Sequence, residues 1–271
     1  MIYAILTGLY ILCFCGKIEN FVWLLTNRLI IIGFVTLFAF WHNKTNNSFV
    51  FFLRFIFPPT LTSYWYPETY YLNDDVLVKN LDKFFADLDL QLFGFEPSLE
   101  FSAHYSQAWV SESMYFGYFS YFLIFAYVGI GFFLYKKNEA LPVMFSIITS
   151  FFIFYLIFIF VPAAGPQFYY PASDVQVPDG YLFCNLMRSI QESGEKPTGA
   201  FPSSHVGMTL IFLYILFKHA RKIFWITLPV ACLLIMSTVY IKAHYLVDVL
   251  AAFLCTPFIY MASNKLYSKL L

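Results

Sequence analysis

The sequence predicts an all-α fold, a polytopic transmembrane helical bundle, and three observations carry that prediction. Of 271 residues, 60% are hydrophobic and only 12% are charged, about half the charged fraction of roughly 25% in soluble domains. Apolar runs recur along the chain, and those at 115–135 and 141–161 hold no charge over about the 20 residues that cross a bilayer. The connections between runs fall into two kinds, short basic ones and long acidic ones. A formal net charge of zero argues against nucleic acid as a partner.

The elements follow in order. Run 2–16 lacks a preceding basic region and a small-residue cleavage site, so it reads as a retained anchor rather than a signal peptide. Run 21–41 contains Arg28, and run 49–66 contains Arg54 and the Pro58–Pro59 pair; neither arginine is assigned a role. Residues 67–114 form a long polar stretch, with acids from Glu68 and Asp74 to Glu112. Within it, "NLDKFFADLDLQLFGFEPSLEF" (80–101) mixes apolar and acidic residues. That pattern suits an amphipathic helix on the membrane surface, a lid over a site, or an ordinary packed connection. Runs 115–135 and 141–161 follow, then a second polar stretch, 162–202, then runs 203–217, 223–241 and 245–262. The organisation is therefore N-terminal membrane helices (1–66), an outer-face loop with interfacial helices (67–114), and a membrane core (115–271) carrying the outer loop 162–202.

Lys136, Lys137, Lys218, Arg221, Lys222, Lys265 and Lys269 occupy the short connections and the C-terminus, which the positive-inside rule places in the cytoplasm. Alternation then puts both long loops on the non-cytoplasmic face. Cys13, Cys15, Cys232 and Cys255 lie in apolar runs and Cys184 in a loop, which is no disulfide framework. His42, His104 and His219 lie in loops or at membrane borders, with no partner at useful spacing. Most of the aromatic load is expected to face lipid and the interfaces.

Two separated stretches meet at the outer face. "GAFPSSHVGMT" (199–209) opens a membrane helix with Pro202, Ser203, Ser204 and His205. A serine there is a good helix cap; the same residues also suit an anion site, because a helix start offers unpaired N–H groups and the positive end of a dipole. "STVYIKAHYLVDVLAA" (237–252) places His244 and Asp248 four residues apart, one above the other if helical. An Asp in an apolar run is costly and signals function or a partner. The spacing lets His244 donate one ring N–H to Asp248 and keep the other nitrogen free, the base-and-orienter arrangement of nucleophilic catalysis. A His–Asp tether between helices is the plainer alternative.

These residues resemble the type 2 phosphatidic acid phosphatase superfamily, which also holds vanadium haloperoxidases and, more distantly, sphingolipid synthases. Its second motif is P-S-G-H, matched by Pro202, Ser203 and His205 with Ser204 in place of Gly. Its third is S-R-x5-H-x3-D, matched by Ser237, His244 and Asp248. The resemblance implies a six-helix catalytic core with additional N-terminal membrane helices. It also implies a lipid phosphatase or phosphotransferase with a membrane lipid as substrate and neither cofactor nor metal. In that mechanism His244 attacks phosphorus, Asp248 orients and charges its ring, and His205 protonates the departing alkoxide. Ser203 and the backbone N–H groups of Ser204 and His205 would hold the phosphate.

Departures are clear. The family's first motif, K-x6-R-P, has no Lys or Arg in the equivalent "VPAAGPQFYYP" (161–171), where Gln167 follows Pro166, and Thr238 stands in place of the third motif's Arg. Lys242 is the expected substitute cation and Arg188 a second; an interfacial lysine reaching for headgroups is the alternative for Lys242. Motifs loosened in this way look more like the branch of inositol phosphorylceramide and sphingomyelin synthases, which are headgroup transferases. Two further readings stand beside this one: His205, His244 and Asp248 as a metal triad of a metal-dependent membrane hydrolase, or a catalytically inactive lipid-binding or transport protein.

Overall fold

A computed structural model describes residues 1–44, 48–73 and 75–270. Among these the chain forms thirteen helices and no strand. The N-terminal part contains α1 (Ile2–Cys13), α2 (Phe21–Lys44), α3 (Ser48–Trp65) and the short α4 (Glu68–Asn73). The first polar stretch folds as α5 (Asp82–Phe93) and α6 (Pro97–His104). Then come α7 (Ala108–Tyr135), α8 (Lys137–Phe160), the single-turn α9 (Pro166–Tyr169) and α10 (Leu182–Gly194). The chain closes with α11 (Ser204–His219), α12 (Arg221–Tyr240) and α13 (Leu246–Leu270). Asp74 and the side chains of His42 and Lys137 lie outside the described residues.

Among the described residues five helices are long and apolar enough to cross a membrane: α2, α7, α8, α12 and α13. The protein is a multi-pass membrane protein. Helix α11, with 16 residues, reaches about 24 Å at 1.5 Å per residue; it packs among α7, α8, α12 and α13. In the apolar stretch of α2 only 11% of residues are buried, against 44% in α7 and 56% in α8. Helix α2 is thus an outer, lipid-facing helix, whereas α7 and α8 wall the core. That core is aromatic, with Phe151, Phe154, Tyr155, Phe158 and Phe212 buried together between α8 and α11. Gly207 allows the close approach: a Cβ there would fall 2.2 Å from the Phe154 ring.

Both long polar stretches are folded. Helix α5 buries Asp82, Phe85, Ala86 and Asp89, the i, i+3, i+4, i+7 face. Asp82 and Asp89 therefore point inward, while Asp87 pairs with Lys83 at the surface and Phe84, Leu90 and Leu92 stay exposed. Residues 80–101 thus form α5 and most of α6, with α5 packed against α9 and α13. Helix α10 was not anticipated from sequence; it buries Cys184 and Met187 against α7.

Arg28, to which the sequence assigned no role, has an acid partner, and two of the histidines expected to lack partners have them. Arg28 is buried and ion-paired with Glu68 at 2.7 Å, and its Nε donates to Thr7 at 2.9 Å, joining α2, α4 and α1. His219 pairs with Glu139 at 2.6 Å and His104 with Glu100 at 3.3 Å. Each partner lies on a neighbouring helix or one helical turn away.

Candidate active site

The site forms where α11 and α13 begin. Ser203 is the N-cap of α11, and its hydroxyl accepts the Val206 N–H at 3.3 Å. Its own N–H donates to the Asp248 carbonyl at 3.2 Å, which straps the two helix starts together. The first-turn N–H groups of Ser204 and His205 have no intrahelical acceptor, as at any helix start.

His244 does not lie on α13 but in the turn before it. The hydrogen bond expected between His244 and Asp248 is not made: His244 Nδ1 lies 2.8 Å from the Ala200 carbonyl and 3.5 Å from Asp248 Oδ2. A carbonyl can only accept, so Nδ1 carries the proton and Nε2 holds the free lone pair. Asp248 Oδ2 instead accepts the Tyr245 N–H at 2.8 Å, the reciprocal half of a capping box. Burial holds the His244 imidazole down to about 4, against a smaller opposing pull from the Ala200 bond and Glu195. It is therefore neutral at physiological pH.

His205 and His244 face each other with ring centroids 5.8 Å apart. Tyr118 and Tyr121 flank His205 at 4.7 and 4.6 Å, and its Nδ1 is buried without a partner among the described residues. A narrow cavity of about 20 Å³ is lined by both histidines, Ser204, Gln167, Tyr66, Tyr118, Glu195 and Lys196. A larger recess of about 350 Å³ adjoins it, and Ala164 and Phe168 line both.

Of the sequence-derived residues, His205, His244, Ser204 and Gln167 line the cavity. Ser203 and Asp248 lie one layer back, occupied in helix caps. Lys242 does not line it: the side chain is buried, with Nζ donating to Ser102 Oγ and, at 3.4 Å, to the Gln176 carbonyl. It neither substitutes for a motif cation nor reaches toward headgroups. Arg188 is held by Asp179 at 2.6 Å and by the Val177 carbonyl. Thr238 turns its hydroxyl back to the Ile235 carbonyl.

The sequence reading missed Glu195 and Lys196, although they stand just before the second motif. Gln167 donates to one Glu195 oxygen at 2.8 Å and Gln191 to the other at 3.2 Å, while burial pushes this carboxyl upward. Asp82 and Asp89 were missed too. Asp82 accepts the N–H groups of Ala164 and Gly165 at 2.9 and 2.8 Å, and Asp89 those of Leu246 and Val247, both at 2.9 Å. Helix α5 thereby fixes the loops that carry Gln167 and His244. A spacing of seven between two acids in an apolar helix was the available signal.

Comparison with known proteins agrees with this geometry. No curated protein and no solved structure matches the chain. A family model described as the PAP2 superfamily matches residues 84–262, from within α5 to within α13. That span is well over half of the chain and contains both histidines and Asp248. The protein belongs to the PAP2 superfamily.

Proposed function

We propose that the protein is an integral membrane enzyme that hydrolyses or transfers a phosphoryl-type group on a lipid phosphate or phospholipid. The proposed route runs through a phosphohistidine at the non-cytoplasmic face. Membership of the PAP2 superfamily supports a phosphatase- or phosphotransferase-type activity. The observation that carries the finer reading is the pair of histidines 5.8 Å apart at the start of α11, one with its tautomer set by a carbonyl.

In this mechanism the His244 Nε2 lone pair attacks phosphorus and the phosphorus–alkoxide bond breaks. Protonated His205 gives its proton to the departing oxygen. Neutral His205 then takes a proton from water or an acceptor hydroxyl, whose oxygen displaces Nε2 and carries the phosphoryl group away. An unperturbed imidazole exchanges its two forms near neutrality, and the negative charge of a bound phosphate favours the protonated form that buried His205 needs for the first step. The N–H groups of Ser204 and His205, with Lys196 from the cavity wall, would meet charge on the equatorial oxygens. Asp248 acts behind the nucleophile, 3.5 Å from its Nδ1, where it favours the imidazolium formed in the phosphoenzyme.

One observation favours headgroup transfer over simple phosphatase action. The charged residues lining the cavity are Glu195 and Lys196 beside the histidines, and the two motif cations are absent. A phosphodiester brings one negative charge and a phosphomonoester up to two, so these walls suit the diester. The metal-triad reading fits less well, because one Asp248 oxygen caps α13 and the His244 nitrogen nearest to Asp248 is Nδ1, which carries a proton and cannot ligate.

The deciding experiment incubates purified protein with labelled phospholipids and lipid phosphates and identifies products by mass spectrometry. Label should also be trapped on His244, and His244→Ala should turn over nothing. Turnover surviving in His244→Ala, or abolished in wild type by a chelator, would overturn the mechanism.

A further inference from the structure

We infer that Thr198 is a positioning residue for His244, held by a clamp that the N-terminal helices build outside the family-matched region. Thr198 is 3% exposed and is bonded through both side chain and backbone. Its hydroxyl accepts from Asn73 Nδ2 at 2.9 Å and pairs with the Thr69 hydroxyl at 3.1 Å. Its carbonyl accepts the Tyr66 hydroxyl at 3.1 Å. All three partners come from residues 66–73, whereas the family match starts at residue 84.

The clamp has a base and a target. Its base is α4, fixed by the buried Arg28–Glu68 pair and by Tyr10 donating to the Leu72 carbonyl at 3.0 Å. Asn73 Nδ2 also reaches the Phe158 carbonyl at 3.0 Å, which ties α4 to the end of α8. Its target is two residues further on, the Ala200 carbonyl that accepts His244 Nδ1–H. Gly199 between them has φ +82, and a Cβ there would fall 3.0 Å from Tyr66 and 3.1 Å from Phe158. The segment is therefore pressed against the clamp with no room for a side chain. The Ala200 N–H is bonded to the Ala163 carbonyl at 3.0 Å and the Thr198 clamp holds the chain two residues earlier; the Ala200 carbonyl decides which nitrogen of His244 is free to attack.

The inference rests on His244 as nucleophile only in its kinetic arm, so the test has two arms on the full chain in detergent. In the first, ¹⁵N-histidine spectra of the wild type, assigned with His244→Gln, should show His244 with its proton on Nδ1. Thr198→Val keeps the shape but loses the hydroxyl; it should erode that tautomer preference, while Thr198→Ser retains it. His205, Asp248 and Glu195 surround His244 unchanged in every variant, so a tautomer change reports the carbonyl. In the second arm, kcat on a nitrophenyl phosphate ester should fall on the order of 10-fold or more in Thr198→Val, with KM little changed and rescue by Thr198→Ser. Thr69→Val, a milder cut, should move both readouts less and in the same direction. An unchanged His244 tautomer in Thr198→Val and Thr69→Val, with thermal stability alone reduced, would overturn the clamp. Turnover surviving in His244→Ala would instead sink the nucleophile assignment and leave the tautomer result standing.

Discussion

The two ends of the helical bundle use charge in opposite ways. At the end bearing the histidines, carboxylates are turned onto backbone N–H groups. Asp82 holds the turn before α9, Asp89 the first turn of α13, Glu112 the start of α10, and Asp248 its own helix cap. At the other end, where α7 meets α8 and α11 meets α12, single residues make the connections and the charges are mostly basic. There the ion pairs are partly exposed: Lys136–Glu139 at 3.6 Å and His219–Glu139 at 2.6 Å. The difference teaches that loop length is answered by acid. A long irregular segment leaves many amides without partners, and a carboxylate accepts two or three at once. A one-residue connection leaves few, and its charges are free to interact with the aqueous side.

The comparison is broken most completely through His244. Burial holds its imidazole at about 4 rather than near 6.5, and only the neutral ring attacks. The acidic limb of kcat/KM should therefore lie near pH 4, with activity lost as pH falls through that value and retained at pH 5.5. A limb near 6.5 would mean that the nucleophile is not the buried ring.

Next in size is the buried Arg28–Glu68 pair. Arg28→Leu strands Glu68 without its cation and should cost about 3–5 kcal/mol, read as thermal unfolding in detergent. Replacing both residues with apolar ones should recover much of that loss. Asp89→Ala comes third: two buried amides of α13 lose their acceptor, at about 1–3 kcal/mol for each unsatisfied group before relaxation. Because those amides begin two residues after His244, turnover should fall further than the lost stability accounts for. Equal losses for Asp89→Ala and a surface substitution such as Asp87→Ala would show that α5 does not buttress the site.

Much of this was legible in the sequence. The apolar runs of 115–135, 141–161, 223–241 and 245–262 each became a long helix because length and hydrophobicity suffice to specify one in a bilayer. His205 and His244 were legible because polar residues in apolar surroundings are expensive. What stayed hidden was every interaction made by the backbone. Ala200 orients His244 through its carbonyl, and any residue type has one. Asp82 and Asp89 looked solvent-facing because hydrophobic periodicity ranks acids as exterior, and only the unpaired amides of α13 and the 164–165 turn reverse that ranking. Lys242 misled for a related reason. Proximity in sequence to His244 said nothing of its left-handed backbone at φ 64, a turn whose side chain is buried against Ser102.

The smallest expected effect on stability tests the other end of the bundle. Lys218, Arg221 and Lys222 lie at the α11–α12 junction, and among the described residues no carboxylate bond like those of the site end holds them; the Arg221 guanidinium sits over the Phe217 ring at 4.6 Å. Lys218→Gln with Lys222→Gln should therefore change unfolding by no more than about 0.5 kcal/mol, far below Asp89→Ala. Their proposed work is done before folding is complete, by biasing which side of the membrane the short loops occupy. A cysteine placed at Ser173, an exposed residue of the 162–202 loop, reports the outcome. In the parent chain it should react with an impermeant thiol reagent from outside. With Lys218, Arg221 and Lys222 neutralised and Lys136 and Lys137 also changed to Gln, a fraction of molecules should become reactive only after permeabilisation. If Ser173→Cys in the parent chain were itself protected until permeabilisation, the basic end would face outward and the histidines would meet the cytoplasmic leaflet. If the neutralised chain instead lost stability as Asp89→Ala does, the charges of the two ends would not differ in kind.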